Sequence, residues 1–97
     1  MNLDSTAVIP PHVMARDVGG EVVVLDLEGG TYYGLDAVGA QIWQHLSQNK
    51  TLAETLAAIL GLYDVSREQA QRDLIALVRD LQSHKLIELR LDAVESI

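Results

Sequence analysis

The chain has 97 residues, 48% of them apolar, enough for one hydrophobic core and not for two. Seven Lys and Arg face fourteen Asp and Glu, and the net charge of -7 argues against the clustered basic surface that phosphate-backbone binding needs. No cysteine is present, which excludes a disulfide frame and a thiolate metal site and suits a cytoplasmic protein stabilised by packing.

Residues 1–11 lack the positive start and long apolar run of a signal peptide, and no apolar stretch approaches the roughly 18 residues of a membrane span. They end in Ile9-Pro10-Pro11, and a Pro-Pro pair cannot enter a central strand ladder, so a flexible N-terminal arm is expected. His12 to Val18 reads as a first strand closed by Gly19-Gly20. Glu21 to Leu27 reads as the second strand. Its core, Val22-Val23-Val24-Leu25, is apolar at every position, which predicts a central strand covered on both faces. Taking Gly29-Gly30 as a two-residue hairpin loop pairs Leu27 with Tyr32, Asp26 with Tyr33, Leu25 with Gly34 and Val24 with Leu35. The two tyrosines then point to opposite faces.

Asp36 is a helix N-cap, and Val38, Ile42, Trp43 and Leu46 follow at helical spacing to about Gln48. Thr51-Leu52-Ala53-Glu54 is a capping box for a second helix whose apolar set is Leu52, Leu56, Ile59, Leu60 and Tyr63. Ser66 and Gln69 form another box, with Val65 and Ala70 as a staple, opening a third helix that runs to about His84. Ala70, Leu74, Leu77, Val78 and Leu81 make its core stripe, and Leu86 to Leu89 can add a short extended segment. The expected fold is α+β and winged helix-turn-helix-like, a three-stranded antiparallel sheet followed by three helices. One domain spans residues 12–90, between the 1–11 arm and a frayed tail over 91–97.

No pattern of chemistry stands out. His12, His45 and His84 fall on three different elements, none at metal-ligand spacing, and read as solvent-facing; no metal or cofactor is expected. Thr51 and Ser66 are used as caps, and no Gly-x-Ser-x-Gly turn or phosphate loop occurs. Asp26, where the apolar run ends, reads as a satisfied half-buried carboxylate. A non-catalytic protein is expected. The acidic balance also weighs against a winged-helix regulator bound to nucleic acid, and no membrane partner is implied.

Val24-Leu25-Asp26-Leu27, then Gly30-Thr31-Tyr32-Tyr33-Gly34-Leu35-Asp36, Val38-Gly39, Ile42-Trp43, Thr51, and Asp73-Leu74 through Leu81 together resemble the PqqD-like family. These are precursor-peptide recognition elements of ribosomally synthesised, post-translationally modified peptide pathways. The resemblance covers roughly residues 12–88, and the order and spacing of short motifs carry it. Asp36 stands where the family usually has Asn, and caps equally well. The short form resembles the free-standing leader-binding protein of lasso-peptide biosynthesis, in which a separate cysteine protease removes the leader; delivery of a precursor to a different modifying enzyme is the alternative.

The resemblance implies that the leader adds as an antiparallel strand to the third strand, in a groove against the third helix. The groove floor is then expected at Tyr33, Leu35, Leu74, Ile75 and Val78, with Thr31, Tyr32 and Gly34 contributing strand. Ile75 lies outside the core stripe and is taken as a leader contact beside Arg79. Arg72, Arg79, Asp73 and Asp80 are expected to meet leader charges at the rim. A leader with a Tyr-x-x-Pro element is the implied partner.

Overall fold

The structure is a computed structural model that describes residues 2–19 and 21–90. In chain order the elements are β1 (Thr6–Val8), β2 (Val13–Val18), β3 (Glu21–Asp26), β4 (Tyr32–Leu35), α1 (Ala37–Ser47), α2 (Leu52–Leu62), α3 (Arg67–Ser83) and β5 (Glu88–Arg90). Strands β2, β3 and β4 form the expected antiparallel meander with β3 central, and the three helices follow, which makes the fold α+β. Among the described residues no helix is long and apolar enough to cross a membrane.

The second hairpin departs from its expected register. Tyr32 faces Leu25 and Tyr33 faces Val24, two residues from the pairing that a Gly29-Gly30 loop implies. Asp26 is the physical reason. Its Oδ1 accepts from the amides of Glu28 (3.0 Å) and Gly29 (2.9 Å), its carbonyl accepts from Gly30 (2.9 Å), and Gly30 takes a φ of 73°. This Asx turn draws Leu27 and Glu28 into the loop, and the ladder begins only where the Asp26 amide donates to Thr31. A Cβ on Gly29 would lie 2.6 Å from Asp26 Oδ2, so that position stays bare. A slip of two keeps face parity: Tyr32 still falls with Val23 and Leu25, and Tyr33 with Val22 and Leu35.

Coverage of β3 is one-sided. Val24 on the inner face is wholly buried, whereas the outer face exposes Met14, Val18 and Tyr32. The continuous apolar run overstated burial because Val23 and Leu25 stop at half-buried.

The helices are built as their caps predict. Asp36 Oδ1 accepts from the Gly39 amide at 2.7 Å, and α1 buries Ile42, Trp43 and Leu46. At α2 the Glu54 amide donates to Thr51 Oγ1 (3.0 Å) and the Thr51 amide to Glu54 Oε1 (2.8 Å), a complete capping box. At α3 the Gln69 amide donates to Ser66 Oγ, but the Gln69 side chain turns to Asp73, so only half of the expected box forms. Ala70, Leu74, Val78 and Leu81 enter the core together with Leu86 and Ile87. Leu77, expected in that stripe, is only partly buried.

The N-terminal segment is ordered into the fold and is not a loose arm. β1 pairs antiparallel with β5, Ala7 opposite Leu89, while the Leu52 amide donates to the Ser5 carbonyl and the Ala53 amide to the Leu3 carbonyl. Pro10-Pro11 ends this strand without forbidding it, because the Pro10 carbonyl accepts from Val13 and turns the chain into β2. The extended segment expected after α3 supplies the partner, Glu88–Arg90. The tail expected to fray, 91–97, lies outside the described residues.

Two outcomes follow from this packing. Ala7 is 2% exposed, so Ala7→Asp should lower the urea unfolding free energy by roughly 3 kcal/mol by burying an unpaired carboxylate. The amides of Gly29 and Glu28 and the nearby His12 hold the Asp26 carboxyl below its ordinary value of 3.8 against an opposing effect of burial. A lowered carboxyl stabilises the fold above its unfolded value and loses that contribution as pH falls through the folded one. The stability gap between wild type and Asp26→Asn should therefore narrow as urea midpoints are taken from about pH 6 down to about pH 2.

Candidate functional site

β4 ends the meander on one side, with β3 its ladder partner. In an antiparallel ladder successive residues direct their backbone groups alternately toward the partner and away from it. Because the Asp26 amide donates to Thr31, alternation turns Thr31, Tyr33 and Leu35 toward β3 and leaves Tyr32 and Gly34 facing the open edge. Edges are normally blunted by charge, proline or a bulge, and Tyr-Tyr-Gly-Leu carries neither charge nor proline.

Beside the edge runs a groove of about 510 Å³. Tyr33, Gly34 and Leu35 form one wall, the start of α1 (Val38, Gly39, Ile42) a second, and Asp73 and Leu77 of α3 complete it. Asp36 ends the strand and caps the helix at once, so the α1 N-terminus is pinned next to the edge. Gly39 permits that approach: a Cβ there would lie 3.2 Å from Asp36 Oδ1 and 3.3 Å from Leu35 Cδ2. The lining mixes polar and apolar surface about equally, its charges are the carboxylates of Asp36 and Asp73, and no Lys or Arg contributes.

One polar bridge joins β4 to α3. The Tyr33 hydroxyl donates to Asp80 Oδ2, the His84 ring meets the Tyr33 ring edge-on with centroids 5.5 Å apart, and His84 Nδ1 lies 2.8 Å from the Asp80 carbonyl oxygen. The bond to Asp80, helped by partial burial, pushes the Tyr33 phenol up from 10.0 to about 12. Elsewhere His12 lies 3.9 Å from Asp26 and 3.8 Å from Glu28, and its side chain is half-buried where a solvent-facing one was expected. His45 is also half-buried, and its Nδ1 is enclosed without a hydrogen-bond partner. Among the described residues no group of three or more His, Asp or Glu gathers at metal-binding range. The arrangement offers backbone groups, apolar surface and two carboxylates, which is recognition chemistry.

A family profile described as Coenzyme PQQ synthesis protein D (PqqD) matches residues 21–87, more than half of the chain. The chain belongs to the PqqD family. Similar solved structures include TbiB1 in complex with the TbiA(beta) leader peptide, 41% identical with a TM-score of 0.77, covering 82% of this chain and 93% of that one. Another is lasso peptide synthetase B1 complexed with the leader peptide, 27% identical with a TM-score of 0.78, covering 84% of this chain and 96% of that one. No curated relative matches.

Within this PqqD fold the expected site residues separate into groups. Tyr33, Gly34, Leu35 and Asp73 line the groove, Thr31 and Tyr32 adjoin it along the hairpin, and Asp80 bridges to Tyr33. Leu74 and Val78 are core residues at 1% and 0% exposure and are not among the groove-lining residues. Ile75 and Arg72 share a shallow depression with Glu68 and Gln71, built from α3 alone, and Arg79 falls one turn beyond Ile75 on that flank. The groove-lining residues that sequence reasoning did not name are Val38, Ile42 and Leu77, of which Ile42 is also a core residue as expected. A signal existed: Asp73, Leu77, Asp80 and His84 recur at i, i+4, i+7 and i+11, one helical stripe that is polar around a single Leu.

A raised phenol pKa favours the folded state below 10.0, and the benefit is lost as pH climbs through about 12. Titrating phenolate absorbance of wild type against Tyr33→Phe should isolate this late transition. In Asp80→Asn the same difference titration should move back toward 10.0.

Proposed function

We propose that this chain is a non-catalytic adaptor that binds the leader segment of a ribosomally made precursor peptide by strand addition to β4 and presents it to a leader-removing protease in lasso-peptide maturation. The observation that carries the reading is an open edge at Tyr32 and Gly34 alongside a groove that offers apolar side chains between two carboxylates. Backbone bonds at such an edge accept many sequences, while the groove takes alternate side chains and supplies selectivity. An antiparallel strand on β4 places every second side chain on the inner face, over Leu35 and Leu77. An aromatic ring or a proline, as in a Tyr-x-x-Pro element, suits a lining of Tyr33, Leu35, Val38, Ile42 and Leu77.

Similarity to TbiB1 and lasso peptide synthetase B1 over most of this chain supports the lasso assignment. The family description favours a second reading, delivery of a precursor to a different modifying enzyme. Pull-down with the protease encoded beside the gene, with and without leader, distinguishes the two: leader-dependent capture supports the first and its absence the second.

Binding itself is tested with a labelled TbiA(beta) leader and with the leader encoded nearest the gene, by fluorescence anisotropy. Saturable binding below roughly 50 µM is expected, and failure of both peptides sinks the reading. Leu77→Ala should weaken binding by about 1 kcal/mol or more, whereas Ile75→Ala should leave it unchanged. Gly34→Pro removes an amide that faces away from β3, so the hairpin should survive while affinity drops about tenfold or more.

A further inference from the structure

A strand on β4 is held through the backbone of Tyr32 and Gly34 alone, and such a short ladder is blind to slips of two residues. Each slip restores the backbone bonds and returns every side chain to its own face. Something beyond the edge must select the register. The groove supplies a boundary at one end: Tyr33 lines it, but Asp80 and His84, further along the same α3 stripe as Leu77, do not. Hydroxyl, carboxylate and imidazole together cross from β4 to α3, Tyr33 donating to Asp80 with the His84 ring 5.5 Å from the Tyr33 ring. The bridge stands on the hairpin side, and the groove continues from it toward α1. Without its hydroxyl anchored the Tyr33 side chain is free to change rotamer, and the boundary becomes movable.

We propose that the Tyr33–Asp80–His84 bridge is a register stop for the peptide strand that β4 accepts, blocking groove-facing side chains from sliding two residues toward the β3–β4 hairpin. Asp80 acts through Tyr33 and is a positioning residue. The inference rests on the leader-binding reading and adds to it the group that determines which peptide residue meets which pocket.

The chain contains no cysteine, so a single introduced thiol reports register cleanly. Tyr32→Cys places that thiol on the outer face, 77% exposed in the parent residue and away from the groove. The probe is the TbiA(beta) leader prepared as a series with one cysteine at each successive position. Same-face positions on a strand lie about 7 Å apart, so a disulfide that fits one does not fit the next. Trapping at a single peptide position is expected with Tyr32→Cys alone. Adding Asp80→Ala should bring in the position two residues N-terminal at comparable yield, Tyr33→Phe should do the same, and Asp80→Asn, which keeps an acceptor, should restore the single product. Circular dichroism confirms folding, and Tyr33→Phe, which deletes one oxygen, carries the test if Asp80→Ala does not fold. One unchanged position in every variant overturns the stop, as does a double product before the bridge is cut. A labelled leader that binds with unchanged trapping removes the stop alone; failure of both this leader and the one encoded nearest the gene to bind removes the leader-binding reading with it.

Discussion

Asp26 accepts from the amides of Glu28 and Gly29, and those two bonds decide how many residues precede β4. Everything at the candidate site depends on that number. With Thr31 as the first paired residue, Tyr33 and Leu35 fall on the inner pleat and Tyr32 and Gly34 offer their backbone to the edge. A loop one residue longer or shorter would exchange the faces, sending Tyr33 to the solvent and breaking its bond to Asp80. The carboxylate at the end of the apolar run is therefore a turn-forming group, its charged form favoured by the amides that donate to it. Asp36, ten residues on, does the corresponding work at the other end of β4 by capping α1.

Elements with local signals were legible. The caps at Asp36, Thr51 and Ser66, and the stripe of Ala70, Leu74, Val78 and Leu81, follow from spacing alone. What resisted reading depends on distant partners or on side-chain bonds inside a turn. β1 has three residues and gains its identity from β5 more than eighty residues away, so no local pattern announces it. The hairpin register looked like glycine chemistry because Gly-Gly is a strong signal, but the Asx bonds of Asp26 outweighed it.

The helix α3 presents two different surfaces on either side of its buried stripe. Its boundaries and core stripe were clear, yet Leu77 was taken as core and Ile75 as the groove contact. The amphipathic pattern identifies the buried direction but not which of two flanks meets the sheet. The three-dimensional answer separates the charges as well: Asp73 and Asp80 turn toward β4, while Arg72 lies with Ile75 on the other flank. A ligand in the groove meets carboxylates at its margin, so the mixed rim imagined from the sequence divides into two chemically different surfaces.

An open edge is a hazard, and here several features keep it modest. β4 is four residues long, it carries Gly34 at its centre, and only Tyr32 and Gly34 direct backbone groups outward. Self-association through so short a ladder buries little area, well below what a stable interface of about 1,200 Å² requires. A peptide that pairs with the same two residues and also fills the groove gains apolar burial that edge pairing alone lacks. The geometry that makes β4 a weak partner for another edge thus leaves it available to a strand with suitable side chains, and on the proposed reading the groove would supply the selectivity that a longer ladder would otherwise give.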